Sequence, residues 1–122
     1  MRAAFAFLFA AFLGAASAAA QDGRALFEAR CASCHATEAD APERPGPNLA
    51  GIVGRAFAAD PRFDYSPAMR RARAAAPAWD EERLARFLED PEAMVPGLWM
   101  GGNGLGQAGE RAAVVAFLRN AR

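Results

Sequence analysis

The chain has 122 residues, with 14 basic and 14 acidic side chains, so its formal net charge is zero. A balanced charge argues against a nucleic-acid-binding protein, which would show a basic excess. The chain contains only two cysteines and one histidine. It therefore cannot supply the four Cys or His ligands of a usual structural zinc site.

The N-terminus has the pattern of an export signal. Met1 and Arg2 are followed by a run of small and apolar residues, and an A-x-A cleavage site precedes Gln21. We therefore predict a signal peptide over residues 1–20 and one domain over residues 21–122, located in the periplasm of a bacterium. An uncleaved membrane anchor is the less favoured alternative, because a span needs about 20 strongly apolar residues.

A first helix is predicted over residues 22–32, with Asp22 as its N-cap. It leads into the run 31–35, C-A-S-C-H, which holds both cysteines and the only histidine. This spacing is the attachment signature of a c-type haem, because two thiols three positions apart can add to the two vinyl groups of one porphyrin. We therefore predict one haem c, attached covalently through Cys31 and Cys34, with His35 held against the iron.

Two other uses of the cysteine pair fit less well. A thioredoxin-like redox pair needs no following histidine and would lie in a βαβ pattern, which this chain lacks. A structural disulfide across two intervening residues would close a short, strained loop.

Residues 36–66 are rich in proline and glycine and are predicted to be mostly loop. So long an irregular stretch is unusual in a compact domain. Loops that wrap a porphyrin instead of a protein core would explain it.

The second half of the chain has three further helical patterns. Pro67 is predicted to open a short helix. Asp80 is placed to cap the next one, which ends at Asp90-Pro91 because the residue before proline avoids the α region. The last helix is predicted over residues 108–121. No stretch alternates apolar and polar residues as a strand would, so the predicted fold class is all-α.

A second axial ligand would have to be methionine, because His35 has no partner histidine. Met69, Met94 and Met100 are the candidates in the predicted mature chain. Met100 is favoured, since the neighbouring proline fixes a turn and the neighbouring glycines let the backbone approach a flat ring.

Three further segments resemble class I cytochromes c of the mitochondrial and cytochrome c2 type. Residues 46–55 are similar to the family's G-P-N-L-x-G-x-x-G-R segment, and residues 63–68 resemble F-x-Y-[ST]-x-A. The run 79–100 resembles W…L-x-x-[YF]-L-x-x-P…P-G-x-x-M. The resemblance covers residues 22–121 in order. It implies a small cytochrome c fold, with the N- and C-terminal helices packed together and loops wrapping a haem.

The resemblance also implies a ligand set. Cys31 and Cys34 would carry the thioether bonds, and His35 and Met100 would be the axial ligands of the iron. The Pro47 carbonyl would accept the Nδ1 proton of His35 and so fix the tautomer of the ring.

On the same basis, three residues would donate hydrogen bonds to a haem propionate: Arg55, Tyr65 and Trp79. Two of the departures from the family pattern remove a hydroxyl group. Phe87 stands where a tyrosine is often found, and Leu98 stands where a threonine is common. A hydroxyl contact to the ligand sulfur and one hydrogen-bond donor to a propionate are therefore absent.

The predicted function is that of a monomeric one-electron carrier, not an enzyme, which meets larger redox proteins transiently at its haem edge. It is predicted to have no nucleic-acid partner and no membrane contact after signal cleavage. One alternative is a dedicated cytochrome subunit of a dehydrogenase or oxidase. Another is a haem protein with an open distal site for peroxide or gas binding, if the glycine-rich stretch 101–104 lets Met100 dissociate.

Overall fold

A computed structural model describes the backbone of residues 13–75 and 78–122, and the side chains from residue 22 onward within those ranges. It contains five α-helices: α1 Leu13–Arg30, α2 Pro67–Ala75, α3 Glu81–Glu89, α4 Pro91–Met94 and α5 Ala108–Arg119. The described ranges contain no strand, which confirms the all-α prediction. No helix in this part of the chain is long and apolar enough to cross a bilayer.

The first helix extends further toward the N-terminus than predicted. Because α1 already includes Leu13, Asp22 lies inside the helix and is not its N-cap. That prediction was wrong because the alanine-rich run before Asp22 has a high helix propensity and continues the same helix. Residues 1–12 of the predicted leader lie outside the described residues, and cleavage before Gln21 stays a prediction.

The first and last helices pack against each other, as the resemblance implied. Gly23 of α1 lies directly against the backbone of Ala113 in α5. One turn further along, the rings of Phe27 and Phe117 are 5.3 Å apart between centroids. The missing side chain of Gly23 therefore allows the close approach of the two helices.

Helix α3 begins and ends as its sequence predicts. The Asp80 carboxylate accepts a hydrogen bond from the Arg83 backbone N–H at 2.7 Å and caps the N-terminus. At the other end Asp90 leaves the helical conformation before Pro91. Asp90 then caps α4 by accepting from Ala93 N–H at 3.0 Å. The short α4 was not predicted.

Residues 36–66 contain no helix, as predicted. Backbone hydrogen bonds to distant residues hold this stretch in place. Gly51 N–H donates to the Ala121 carbonyl at 2.8 Å. Gly54 N–H donates to the Trp79 carbonyl at 2.6 Å, and Trp79 N–H donates to the Arg55 carbonyl at 2.9 Å. These bonds bring Arg55 and Trp79 side by side, although they are far apart in the sequence.

Candidate functional site

The helices and the long loop surround an open cavity of about 390 Å³. This volume lies within the usual range of cofactor and small-molecule pockets, which is roughly 300–1,000 Å³. Most of the lining is aliphatic or aromatic, and it includes only one arginine and no carboxylate. All eight residues singled out from the sequence line this cavity: Cys31, Cys34, His35, Pro47, Arg55, Tyr65, Trp79 and Met100.

The two cysteines lie on a tight turn directly after α1. The backbone N–H groups of Cys34 and His35 both donate to the Cys31 carbonyl, at 3.0 and 2.9 Å. Both thiols are free, with Cys31 half-buried and Cys34 exposed. Burial raises the pKa of the Cys31 thiol, and the nearby Cys34 adds to this effect. A reactive redox cysteine has a lowered pKa instead, so Cys31 does not resemble the nucleophile of a thioredoxin-type site.

His35 is held in one tautomer by the backbone. Its Nδ1 lies 2.8 Å from the Pro47 carbonyl oxygen. Because a carbonyl can only accept, Nδ1 must carry the proton, and the lone pair of Nε2 is left free. Burial lowers the pKa of His35, although the Pro47 hydrogen bond acts in the opposite direction. The ring is therefore neutral at neutral pH, which is the form that binds a metal.

The segment 44–47 packs tightly along the cysteine turn. Gly46 N–H donates to the Cys34 carbonyl at 2.8 Å, and the Arg44 guanidinium donates to the His35 carbonyl at 2.9 Å. A Cβ atom on Gly46 would lie only 2.7 Å from Cε1 of His35. Glycine is therefore required at this position for the segment to reach the imidazole.

Arg55, which lines the cavity, has one buried donor group without a hydrogen-bond partner within the part of the protein that the structure describes. Its two terminal nitrogens donate to the carbonyls of Asn48 and Ala50, at 2.7 and 2.9 Å. Its Nε is buried and has no hydrogen-bond partner among the described residues. A buried donor without a partner is costly. An acidic group of a bound cofactor, such as a haem propionate, would satisfy it.

Tyr65 and Trp79 are buried side chains at the same cavity. The Tyr65 hydroxyl accepts a hydrogen bond from the Asp60 N–H at 3.0 Å, so its own hydrogen can still be donated. The Trp79 ring stacks on Phe57 at 3.9 Å between centroids and meets the edge of Phe87 at 5.1 Å. These aromatic contacts fix the plane of the indole.

Two of the three candidate methionines line the cavity. Met100 is half-buried beside it, and Met69 of α2 is buried at another part of the wall. Met94 packs against the hydrophobic core and is not part of the lining. The geometry therefore leaves two methionines that line the same cavity as His35.

Two residues that support the site were not found from the sequence. Asn48 donates to the Glu38 carbonyl at 2.7 Å and accepts from Ala50 N–H at 2.8 Å. Phe57, only 1% exposed, supports Trp79 from behind. Both lie in the Pro/Gly-rich stretch, where no periodic pattern marks buried residues. Asn48 could have been found, because it lies within the segment that resembles the family.

The lining fits a haem better than a bare metal ion. No three His, Cys, Asp or Glu side chains come together as an ion site in the described part of the chain. The cavity instead offers an apolar space, two thiols at its edge, one imidazole nitrogen and one unpaired guanidinium N–H. These groups match a flat porphyrin that carries its own iron and acidic side chains.

Comparison with known proteins points the same way. The family model described as cytochrome c matches residues 20–122. The chain is 33% identical over 110 residues to cytochrome c of Guizotia abyssinica. This alignment covers 90% of this chain and 96% of the relative. It is 36% identical over 96 residues to cytochrome c2 of Agrobacterium tumefaciens, covering 79% of this chain and 86% of the relative. Cytochrome c of Ulva intestinalis is 36% identical over 99 residues, and this alignment covers 81% of this chain and 86% of the relative.

The match includes the residues of the cavity, the cysteine turn and the packed terminal helices. The cofactor of this protein is haem c, which is attached through Cys31 and Cys34. The chain belongs to the cytochrome c family of electron carriers.

Proposed function

We propose that this protein is an exported, periplasmic one-electron carrier whose haem iron is bound by His35 and Met100. The observation that supports it most strongly is that both cysteines, His35 and Met100 line one apolar cavity. The N-terminal run that resembles an export signal supports the location.

The proposed role of each site residue involves no proton transfer. The haem, when bound, supplies reversible one-electron chemistry. Burial keeps His35 neutral, and the hydrogen bond to the Pro47 carbonyl orients the ring. Met100, as a ligand together with His35, would raise the reduction potential of the iron. The Arg55 guanidinium would balance the charge of a haem propionate, and Tyr65 and Trp79 would donate hydrogen bonds to it.

The apolar wall favours electron transfer over catalysis. Phe87 and Leu98 line the cavity where hydroxyl groups are common in the family. A dry, rigid surrounding reduces the reorganisation that accompanies a change of charge on the iron, because few dipoles are free to turn. Such a wall also offers no carboxylate to a substrate.

We further propose that monomers meet larger redox proteins at the mouth of this cavity. Four lining residues are exposed, and none of them is charged: Cys34, Pro45, Trp99 and Gly101. Trp99 is 66% exposed, and it is the largest apolar side chain at this mouth. Transient electron-transfer contacts are small and weak. An exposed tryptophan gives such a contact an anchor.

The ligand assignment is tested with the haem-loaded protein. The ferric wild type should show the long-wavelength charge-transfer band of methionine-sulfur ligation. The variant Met100→Ala should lose this band and bind carbon monoxide readily when reduced. Met69→Ala is the matched control, because Met69 also lines the cavity, and it should keep the band. A band that survives Met100→Ala and disappears in Met69→Ala would contradict the assignment.

A further inference from the structure

The first residues that follow Met100 have few contacts with the rest of the protein. Residues 101–106 read G-G-N-G-L-G. Gly101 and Gly102 are exposed, and a Cβ atom on either would meet no atom within 4 Å. Gly104 has a φ of +72°. Glycine has the largest conformational freedom of any residue, so this segment must be fastened by something else.

Asn103 is the one residue of this segment with a polar side chain. Its Nδ2 donates to the Leu88 carbonyl at 2.9 Å, and its Oδ1 accepts from the Leu105 N–H at 2.9 Å. The two partners fix the orientation of the amide, because a carbonyl can only accept and a backbone N–H can only donate. Both hydrogen bonds are half-buried, where water competes less.

The hydrogen bond to Leu88 joins the segment to the wall of the cavity, whereas the bond from Leu105 N–H lies within the segment. Leu88 is in the last turn of α3, where carbonyls have no partner within the helix. Leu84, Phe87 and Leu88 of the same helix line the cavity. Leu105, the second hydrogen-bond partner of Asn103, is 3% exposed and belongs to the hydrophobic core.

We propose that Asn103 is a positioning residue that holds Met100 at the iron and thereby keeps the distal side of the haem closed. The inference rests on the proposed ligation by Met100. Without the Asn103 amide, the glycines would gain freedom and Met100 would leave the iron more often.

The test compares three haem-loaded variants with the wild type. Asn103→Ala removes both hydrogen bonds. Asn103→Asp keeps an acceptor for Leu105 N–H but loses the donor and sets a carboxylate beside the Leu88 carbonyl. Asn120→Ala is the matched control, since the Asn120 amide donates to a helix carbonyl at 3.4 Å in an exposed position away from the cavity.

Two readouts follow Met100 directly: the charge-transfer band of the ferric protein and the rate of carbon monoxide binding to the reduced protein. Loss of one or two hydrogen bonds should raise the fraction of molecules with dissociated Met100 by about 5- to 30-fold. Carbon monoxide binding should accelerate by the same factor in both Asn103 variants and stay unchanged in Asn120→Ala. Helix content measured by circular dichroism should remain that of the wild type.

The two proposals fail in different ways. If Met100→Ala keeps the band, the ligand assignment is wrong, and the inference falls with it. If Met100→Ala loses the band while both Asn103 variants bind carbon monoxide at the wild-type rate, the ligand assignment stands and the role of Asn103 is refuted.

Discussion

At the scale of single residues, the Asp60 carboxylate organises the loop beside the proposed propionate site. Its two oxygens accept from the backbone N–H groups of Asn48 and Arg62, each at 3.0 Å. Burial alone would raise the pKa of Asp60. These two hydrogen bonds and the charge of Arg62 outweigh burial and hold the pKa below its usual value. The backbone N–H of Asp60 in turn donates to the Tyr65 hydroxyl.

The lowered pKa of Asp60 predicts how stability depends on pH. Ionised Asp60 stabilises the fold above its unfolded pKa of about 3.9, and this contribution is lost as the pH falls through the lower folded pKa. Asp60→Asn should therefore lower the free energy of unfolding at pH 7 by about 1–3 kcal/mol. The free energy of unfolding of this variant should also decrease less steeply than that of the wild type as the pH falls. Denaturant titrations over a pH series measure both effects.

The control for this experiment is Asp40→Asn, because Asp40 is an exposed residue of the same long loop. It should leave both the stability and its slope against pH near the wild-type values. Equal slopes for the wild type and Asp60→Asn would show that the Asp60 carboxylate does not act as described.

Site residues differ in how far the sequence predicts them. Cys31, Cys34 and His35 can be identified from spacing alone, because the chemistry of attachment fixes that spacing. The roles of Asp60 and Asn103 depend on which backbone groups come within 3 Å of their side chains after folding. No local pattern contains that information.

At the scale of helices, the contact between α1 and α5 depends on one glycine. A Cβ on Gly23 would overlap the Ala113 carbonyl and approach Cβ of Phe117 to 2.9 Å. Backbone cannot move aside as a flexible side chain can. The two helices would therefore have to separate, which would also disturb the ring contact of Phe27 with Phe117.

Substitution of two helical glycines tests this contact. Gly23→Ala should destabilise the protein by about 3 kcal/mol through overpacking. Gly109→Ala in α5 is the control, because its Cβ would enter open space. That variant should be stabilised by about 0.5 kcal/mol, since alanine favours the helix. Thermal unfolding of the haem-loaded proteins measures both. If both variants changed the stability with the same sign and by a similar amount, the packing described would be contradicted.

Helix boundaries were predictable where a side chain caps the helix. Asp80 and the pair Asp90-Pro91 mark α3 correctly. The start of α1 was not predictable, because the alanines before Asp22 are typical both of a helix and of a signal peptide. Likewise, the hydrogen bonds that hold residues 36–66 join parts of the chain far apart in sequence. Composition predicts a loop there but not its path.

At the scale of the whole molecule, the core is built around the cavity. Many of the buried hydrophobic residues also line it, among them Phe27, Ile52, Trp79 and Val114. A chain of this length has a modest core. Binding energy that is available only to the folded state adds to stability. We therefore expect the haem to contribute much of the fold's stability and to be held by covalent bonds.

The most direct test is the intact mass and visible spectrum of the protein expressed with the cytochrome c maturation machinery. We expect the mass of residues 21–122 plus one haem, with a pigment that stays on the protein in acidified organic solvent. A colourless protein, or a pigment that the solvent extracts, would contradict covalent attachment at Cys31 and Cys34.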